Sequence, residues 1–154
     1  MKLNKATSHA LRVLVACARS DQDLQKVAEL ASELGLTQQN TFKMVHLLSR
    51  GGFMAGERGR YGGVRLARPA DAIKVGDVVR VIELEASESA EGVTLPQSQE
   101  RLFDAAFEAF LTVLNQTTIA DMAEAQKTAK RPARSKKAKP VKPRKTSSGL
   151  SRQN

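Results

Sequence analysis

No tryptophan, a single tyrosine and a single cysteine occur in the 154 residues, and five phenylalanines complete the aromatic supply. A core must be built mostly from Leu, Val, Ile and Ala, which favours helices. One cysteine, Cys17, makes no internal disulfide and, alone, no zinc or iron–sulfur site. Long apolar runs are missing too: the longest, Val13 to Ala18, falls far short of the roughly 20 residues that span a bilayer. No signal-peptide core follows the start, so a cytoplasmic protein without membrane contact is expected. Enzyme signatures are also absent. There is no phosphate loop ending in Lys-Ser/Thr, no nucleophile elbow and no convergence of His with carboxylates. Gly59, Gly62 and Gly63 lie between strand-like segments and not before a helix, so they make no nucleotide loop. The chain is expected to have no catalytic residue, no cofactor and no metal site. His9 and His46 lack ligand-spaced partners, and Glu85, Glu88 and Glu91 read as a solvated acidic loop more readily than as a hard-cation site.

Negative charge is missing from residues 127–154, which carry eleven Lys and Arg. Residues 1–80 hold 13 basic against 7 acidic side chains, whereas 81–126 hold Arg101 alone against 9 acidic ones. The net charge of +9 is therefore strongly polarised. Such a pattern fits a nucleic-acid face, an acidic segment turned outward or toward a partner, and a basic arm. The arm has Pro132, Pro140 and Pro143 and no hydrophobic period, so disorder is expected. It resembles histone-like tails, which meet phosphate without reading sequence. A solubilising extension, or a strand of charge folding back on Glu83 to Glu124, would have the same composition.

Helical periodicity organises the rest. Leu3, Ala10, Leu14 and Cys17 predict a helix from about Lys5 to Arg19, ended by Ser20-Asp21-Gln22-Asp23. Leu24, Val27, Ala28, Ala31 and Leu34 predict a second, stopping at Gly35. Thr37 is an N-cap candidate for a third, which turns Thr41, Phe42, Val45 and Leu48 inward until Gly51-Gly52. Helix, short glycine turn, helix is the arrangement of a helix-turn-helix. Phe53-Met54-Ala55 and Val64-Arg65-Leu66-Ala67 then read as a β-hairpin with a glycine- and arginine-rich tip, a wing suited to a phosphate backbone. A fourth helix carries Val78, Val79, Val81 and Ile82, and a loop covers Glu85 to Pro96. From Gln97 to Ala125 one long helix is expected, with Leu102, Phe103, Ala106, Phe107, Phe110, Val113, Leu114 and Thr117 on one stripe. That stripe exceeds what a small winged domain needs, so a dimer interface through Leu102, Phe103, Phe107, Phe110 and Leu114 is favoured over packing on its own domain.

The residues placed to touch DNA are Thr37, Gln38, Gln39, Asn40 and Lys43 at the start of the third helix, with Arg58, Arg60 and Tyr61 on the wing. Gln and Asn can pair bidentately with adenine, and Thr and Lys can take phosphate or guanine. A merely solvated helix face would look the same, but two cations on a glycine-rich tip have little structural purpose and suit a minor groove or its phosphates. Cys17 is a candidate redox thiol by type, yet it sits on the apolar stripe of the first helix, with no basic neighbour evident to lower its pKa.

Five segments carry a resemblance: Ser8-His9-Ala10-Leu11-Arg12-Val13-Leu14, Val27-Ala28-Glu29-Leu30-Ala31, Lys43-Met44-Val45, Arg58-Gly59-Arg60-Tyr61-Gly62-Gly63-Val64-Arg65-Leu66-Ala67-Arg68-Pro69, and Val75-Gly76-Asp77-Val78-Val79-Arg80-Val81-Ile82-Glu83. Together with Thr117-Thr118-Ile119-Ala120-Asp121-Met122 they make residues 1 to about 125 resemble the Rrf2 family of bacterial winged helix-turn-helix transcriptional regulators. The resemblance implies a homodimer on a palindromic double-stranded operator, usually acting as a repressor, with Arg58 on the wing and Thr37 to Lys43 on the recognition helix. Many members hold an iron–sulfur cluster with three cysteines. Here Glu83 to Arg101 contains none, and Ser8 stands where several of those members have an acidic ligand, so no cluster is expected.

The expected organisation is mainly α with a small β-hairpin. A winged helix-turn-helix domain spans 1–83, a cysteine-free loop 84–96, a dimerisation helix 97–126 and a disordered basic tail 127–154. The alternative is a nucleoid-associated architectural protein that coats DNA with little sequence preference, supported by the tail alone. Removing residues 127–154 should weaken binding to all duplexes alike and flatten its dependence on salt. Full engagement of eleven charges would add up to about −10 to the slope of log K against log salt. Loss of operator selectivity with retained affinity, read by anisotropy titrations at several salt concentrations, would contradict a sequence-independent arm.

Overall fold

The computed structural model describes residues 4–20, 23–88 and 96–130. Helix α1, Lys5–Arg19, starts where the Asn4 side chain accepts the Thr7 N–H at 2.9 Å. Helix α2, Val27–Leu34, ends at Gly35, whose φ of +63° lets Leu36 N–H return to the Ala31 carbonyl. Thr37 then caps α3, Gln38–Arg50, accepting the Asn40 N–H on its hydroxyl. Strands β1, Met54–Glu57, and β2, Gly63–Leu66, pair antiparallel with Met54 opposite Leu66 and Glu57 opposite Gly63. In β2 the alternation turns Val64 and Leu66 inward and Arg65 outward. A short 3-10 turn, Ala70–Ala72, leads to α4, Val75–Glu88, then α5, Gln97–Leu114, and α6, Ile119–Lys130.

The winged helix-turn-helix is present as expected, with differences in its details. Residues 23–26 are not helical: Gln25 exchanges two backbone hydrogen bonds with Val64, at 2.8 and 2.9 Å, adding an isolated bridge on the far side of β2 at the wing's base. Leu24 therefore belongs to this bridge segment, and α2 buries Leu30 and Ala31 while Ala28 is exposed. Phe42, expected inward, is 57% exposed. The inner face of α3 is formed by Thr41, Met44, Val45, Leu47 and Leu48, and at 100° per residue Phe42 falls more than a right angle away from it. Helix α4 runs three residues beyond the Glu85 at which the loop was expected to begin, and the apolar character of Val81, Ile82 and Leu84 continues its period toward that end.

The single long helix expected over 97–125 is two helices. Helix α5 stops at Leu114, and Thr118 opens α6: its N–H and hydroxyl meet the Asp121 carboxylate at 2.8 and 2.7 Å, and its hydroxyl accepts the Asp121 N–H. These bonds hold the Asp121 carboxyl below the ordinary carboxylate range. The turn is also stitched to the start of α4, with Val75 N–H on the Thr117 carbonyl and Ile119 N–H on the Ile73 carbonyl. Reversal buries Ile119 and Ala123 against the common core, with α6 lying on α1. Helix α6 also extends to Lys130, so Lys127 and Lys130, assigned to the tail, are helical. The remaining tail, 131–154, lies outside the described residues.

Helices α4 and α5 pack with little space between them. Asn115 accepts the Asp77 N–H at 3.1 Å and donates to the Asp77 carboxylate at 3.2 Å. Arg80 grips Glu108 with two bonds, lowering the Glu108 pKa by charge-assisted hydrogen bonding. Both partners are exposed, so this pair orients the helices more than it stabilises them. Gly76 is where the backbones meet: a Cβ there would overlap Asn115 Oδ1 and the Leu111 carbonyl. In a free helix Gly→Ala gains about 1 kcal/mol. Here Gly76→Ala should instead destabilise by about 1–3 kcal/mol through overpacking. The urea midpoint decides the sign, and a stabilised variant would disprove the close approach.

Candidate nucleic-acid interface

The first turn of α3 is exposed because its neighbours in sequence, Thr41 and Met44, point into the core. Gln38, Gln39, Asn40 and Lys43 all face solvent. Thr37 is exposed as well, with its hydroxyl committed to the helix start. The wing follows from the β1–β2 register: the strands leave Arg58 to Gly62 as the connection, and Gly59 at φ +116° takes a conformation that a side chain would strain. Arg58, Arg60 and Tyr61 are exposed there. Tyr61 reaches 85%, with the Arg60 guanidinium 5.8 Å from its ring centroid.

Helix and wing share a groove of about 510 Å³, whose lining includes Gln38, Phe42, Lys26, Arg58 and Arg60. Of the residues marked by sequence, Gln38, Arg58 and Arg60 are thus brought together. Gln39, Asn40 and Lys43 extend the same helix surface outside the groove, and Tyr61 stands at the wing tip. Glu57, also in the lining, is paired with Arg65 at 3.3 Å, leaving the three cations to set the sign of the groove. Lys26 and Phe42 were missed by sequence reasoning. Phe42 was readable from its angle on α3; Lys26 was not, because only the Gln25–Val64 bridge brings the start of α2 against the wing.

The five aromatic and aliphatic residues assigned to α5's stripe divide. Leu102 and Phe103 are 67% and 61% exposed. Phe107, Phe110 and Leu114 pack partly on the core, with the Phe107 and Phe110 rings 6.5 Å apart. Leu111 is the one buried residue of α5, and Val113, 62% exposed, belongs with Leu102 and Phe103 on the outer side. Cys17 is buried, and desolvation, with Glu33 adding to it, pushes its thiol up to about 12. It is protonated at neutral pH and unsuited to nucleophilic or redox sensing while folded. Among the described residues no three His, Cys, Asp or Glu side chains converge as a metal ion would require, and no helix is long and apolar enough to cross a membrane.

Comparison with known proteins matches residues 3–125 to the Rrf2 family model, described as an iron-dependent transcriptional regulator. Among curated proteins, protein aau3 of Rhizobium meliloti (strain 1021) is 42% identical over 83 residues, 54% of each chain. The match thus spans about half the length of that relative. Among solved structures, IscR of T. potens superposes with a TM-score of 0.66 at 22% identity, covering 86% of this chain and 93% of that one. CymR, the global cysteine regulator of B. subtilis, superposes with a TM-score of 0.61 at 26% identity, covering 81% and 98%. These likenesses establish the fold.

Bidentate contacts from Gln39 or Asn40 would each contribute about 1–3 kcal/mol of base discrimination. Gln39→Ala and Asn40→Ala should therefore relax preference at particular operator positions. Arg58→Ala should weaken all sequences alike and lower the salt slope by about 1. Binding selections on randomised duplexes check both, and an unchanged preference for the α3 variants would refute this docking.

Proposed function

The chain belongs to the Rrf2 family of transcriptional regulators, and we propose that it is a homodimeric, sequence-specific DNA-binding repressor that works without an iron–sulfur cluster in the bacterial cytoplasm. The observation that carries the reading is the groove shared by α3 and the wing, lined by Gln38 together with Lys26, Arg58 and Arg60. A recognition helix in the major groove supplies base contacts. Wing cations beside it supply phosphate attraction, which fixes register without selecting sequence. A regulator bound across a promoter represses by excluding other proteins from the same duplex.

The dimer is inferred from the outer side of α5. Leu102, Phe103 and Val113 are exposed there with Ala105, Ala106 and Ala109, so one side of an 18-residue helix has no apolar cover among the described residues. A second copy related by twofold symmetry would bury it against itself. It would also duplicate the α3–wing surface, matching a palindromic operator.

An iron–sulfur cluster does not fit the residues present. Such clusters are held mainly by thiolates, and the sole cysteine is Cys17, whose protonated thiol faces the core. The segment from Glu83 to Arg101 supplies only carboxylates, hydroxyls and amides, although 89–95 fall outside the described residues. Iron dependence in the family description is therefore not carried over to a cluster here.

Genomic fragments selected by the full chain at about 150 mM salt should yield an inverted repeat with half-site centres 10–10.5 base pairs apart or a multiple of that. Recovery without a motif would favour the architectural reading based on the basic tail. Phe103→Asp, on an already exposed side chain, should leave the fold intact and produce monomers by sedimentation. A persistent dimer would show that its interface lies elsewhere.

A further inference from the structure

Phe42 is the exposed apolar side chain in the otherwise polar outer strip of α3. Its neighbours along that strip are Gln38 one turn before, Gln39 three residues before and His46 one turn after. The core does not require it, since Thr41, Met44, Val45, Leu47 and Leu48 already complete the inner face. It lies instead in the groove whose rim carries Lys26, Arg58 and Arg60. An aromatic ring held in water on the one helix face suited to DNA calls for an apolar counterpart in the ligand.

The base edges of the major groove display hydrogen-bonding groups and a single kind of apolar group, the C5-methyl of thymine. We propose that Phe42 is a specificity-determining residue that reads a thymine methyl group in each half-site of the operator. This rests on the proposed DNA-binding function and adds to it the identity of one base and the group that recognises it. The cations on the groove rim would hold the flanking phosphates and so press the ring toward the base edges. Gln38, four residues away on the helix, is separated from Phe42 by about 6 Å of rise. The thymine is therefore expected within about two base pairs of the position that Gln38 contacts, base pairs being about 3.4 Å apart.

Removing a methyl group from such a contact should lower affinity about fourfold, the factor that corresponds to one buried methylene group at 1.4 kcal/mol per tenfold. The test uses the full chain and the genome-selected inverted repeat, with each thymine replaced in turn by deoxyuridine, which differs only in lacking the methyl. The unmodified protein should lose about fourfold at one thymine per half-site and little elsewhere. Phe42→Ala should bind the thymine and deoxyuridine duplexes equally at that position, and Phe42→Leu should keep part of the difference. Circular dichroism confirms that the variants are folded. If every deoxyuridine duplex binds the unmodified protein as tightly as the thymine duplex, while the repeat is still preferred over a shuffled sequence, the methyl contact is overturned and DNA recognition stands. If Phe42→Ala retains the discrimination, another residue reads the methyl and the assignment to Phe42 falls. If the repeat is not preferred over shuffled DNA, the proposed function fails and this inference with it. The deoxyuridine series on the unmodified protein needs no variant to fold, so its result stands by itself.

Discussion

At its centre α1 has no solvent face. Val13, Leu14, Val15, Ala16 and Cys17 are consecutive and all buried, and a helix buried at consecutive positions has to be covered on every side. Helices α2, α3, α4 and α6 and strand β2 supply that cover. The requirement places the rest of the molecule. Turning Met44, Val45 and Leu48 toward α1 leaves Gln38, Gln39 and Phe42 on the outside of α3. Turning Val64 and Leu66 inward sends the wing tip out beside them. The same cover raises the pKa of the Cys17 thiol, since its thiolate would have to form away from water.

Polar contacts then decide what α5 is free to do. Asn115 and Asp77 fasten its C-terminal end to α4, Arg80 and Glu108 fasten its middle, and Thr118 with Asp121 reverses the chain into α6. Were the helix to continue past Leu114, Ile119 and Ala123 would be carried away from the core that now buries them. The reversal completes the cover of α1 and leaves α5 with one buried residue and an apolar outer side. A winged helix-turn-helix closed on its own core and a separate helix with an exposed apolar side are thus products of one turn.

Much of this was legible in the sequence. Gly35 and Thr37 mark the turn of the helix-turn-helix, and the alternation around Val64 marks the wing, because those signals are local and act within a few residues. The Thr118 to Asp121 spacing is also a local capping signal. An apolar period runs through it and masks it, since α5 and α6 both carry hydrophobic residues spaced as one continuous stripe. Phe42 illustrates the converse error. Hydrophobicity alone assigns it to the core, whereas its angle relative to Thr41, Met44 and Leu48 assigns it to the surface, and on a helix with one covered face the angle is the better guide.

The amino-acid sequence by itself determined the helix-turn-helix, the wing hairpin and the single thiol, because these follow from local capping, period and the count of one cysteine. Only the tertiary structure decided that Lys26 joins the wing, that Phe42 faces outward into the groove, and that the aromatic stripe of α5 splits into an inner set and an outer set. Each of those depends on which faces are covered by residues distant in the chain. Side-chain burial is set by packing around α1, and hydrophobic attraction has no direction of its own from which such a choice could be read.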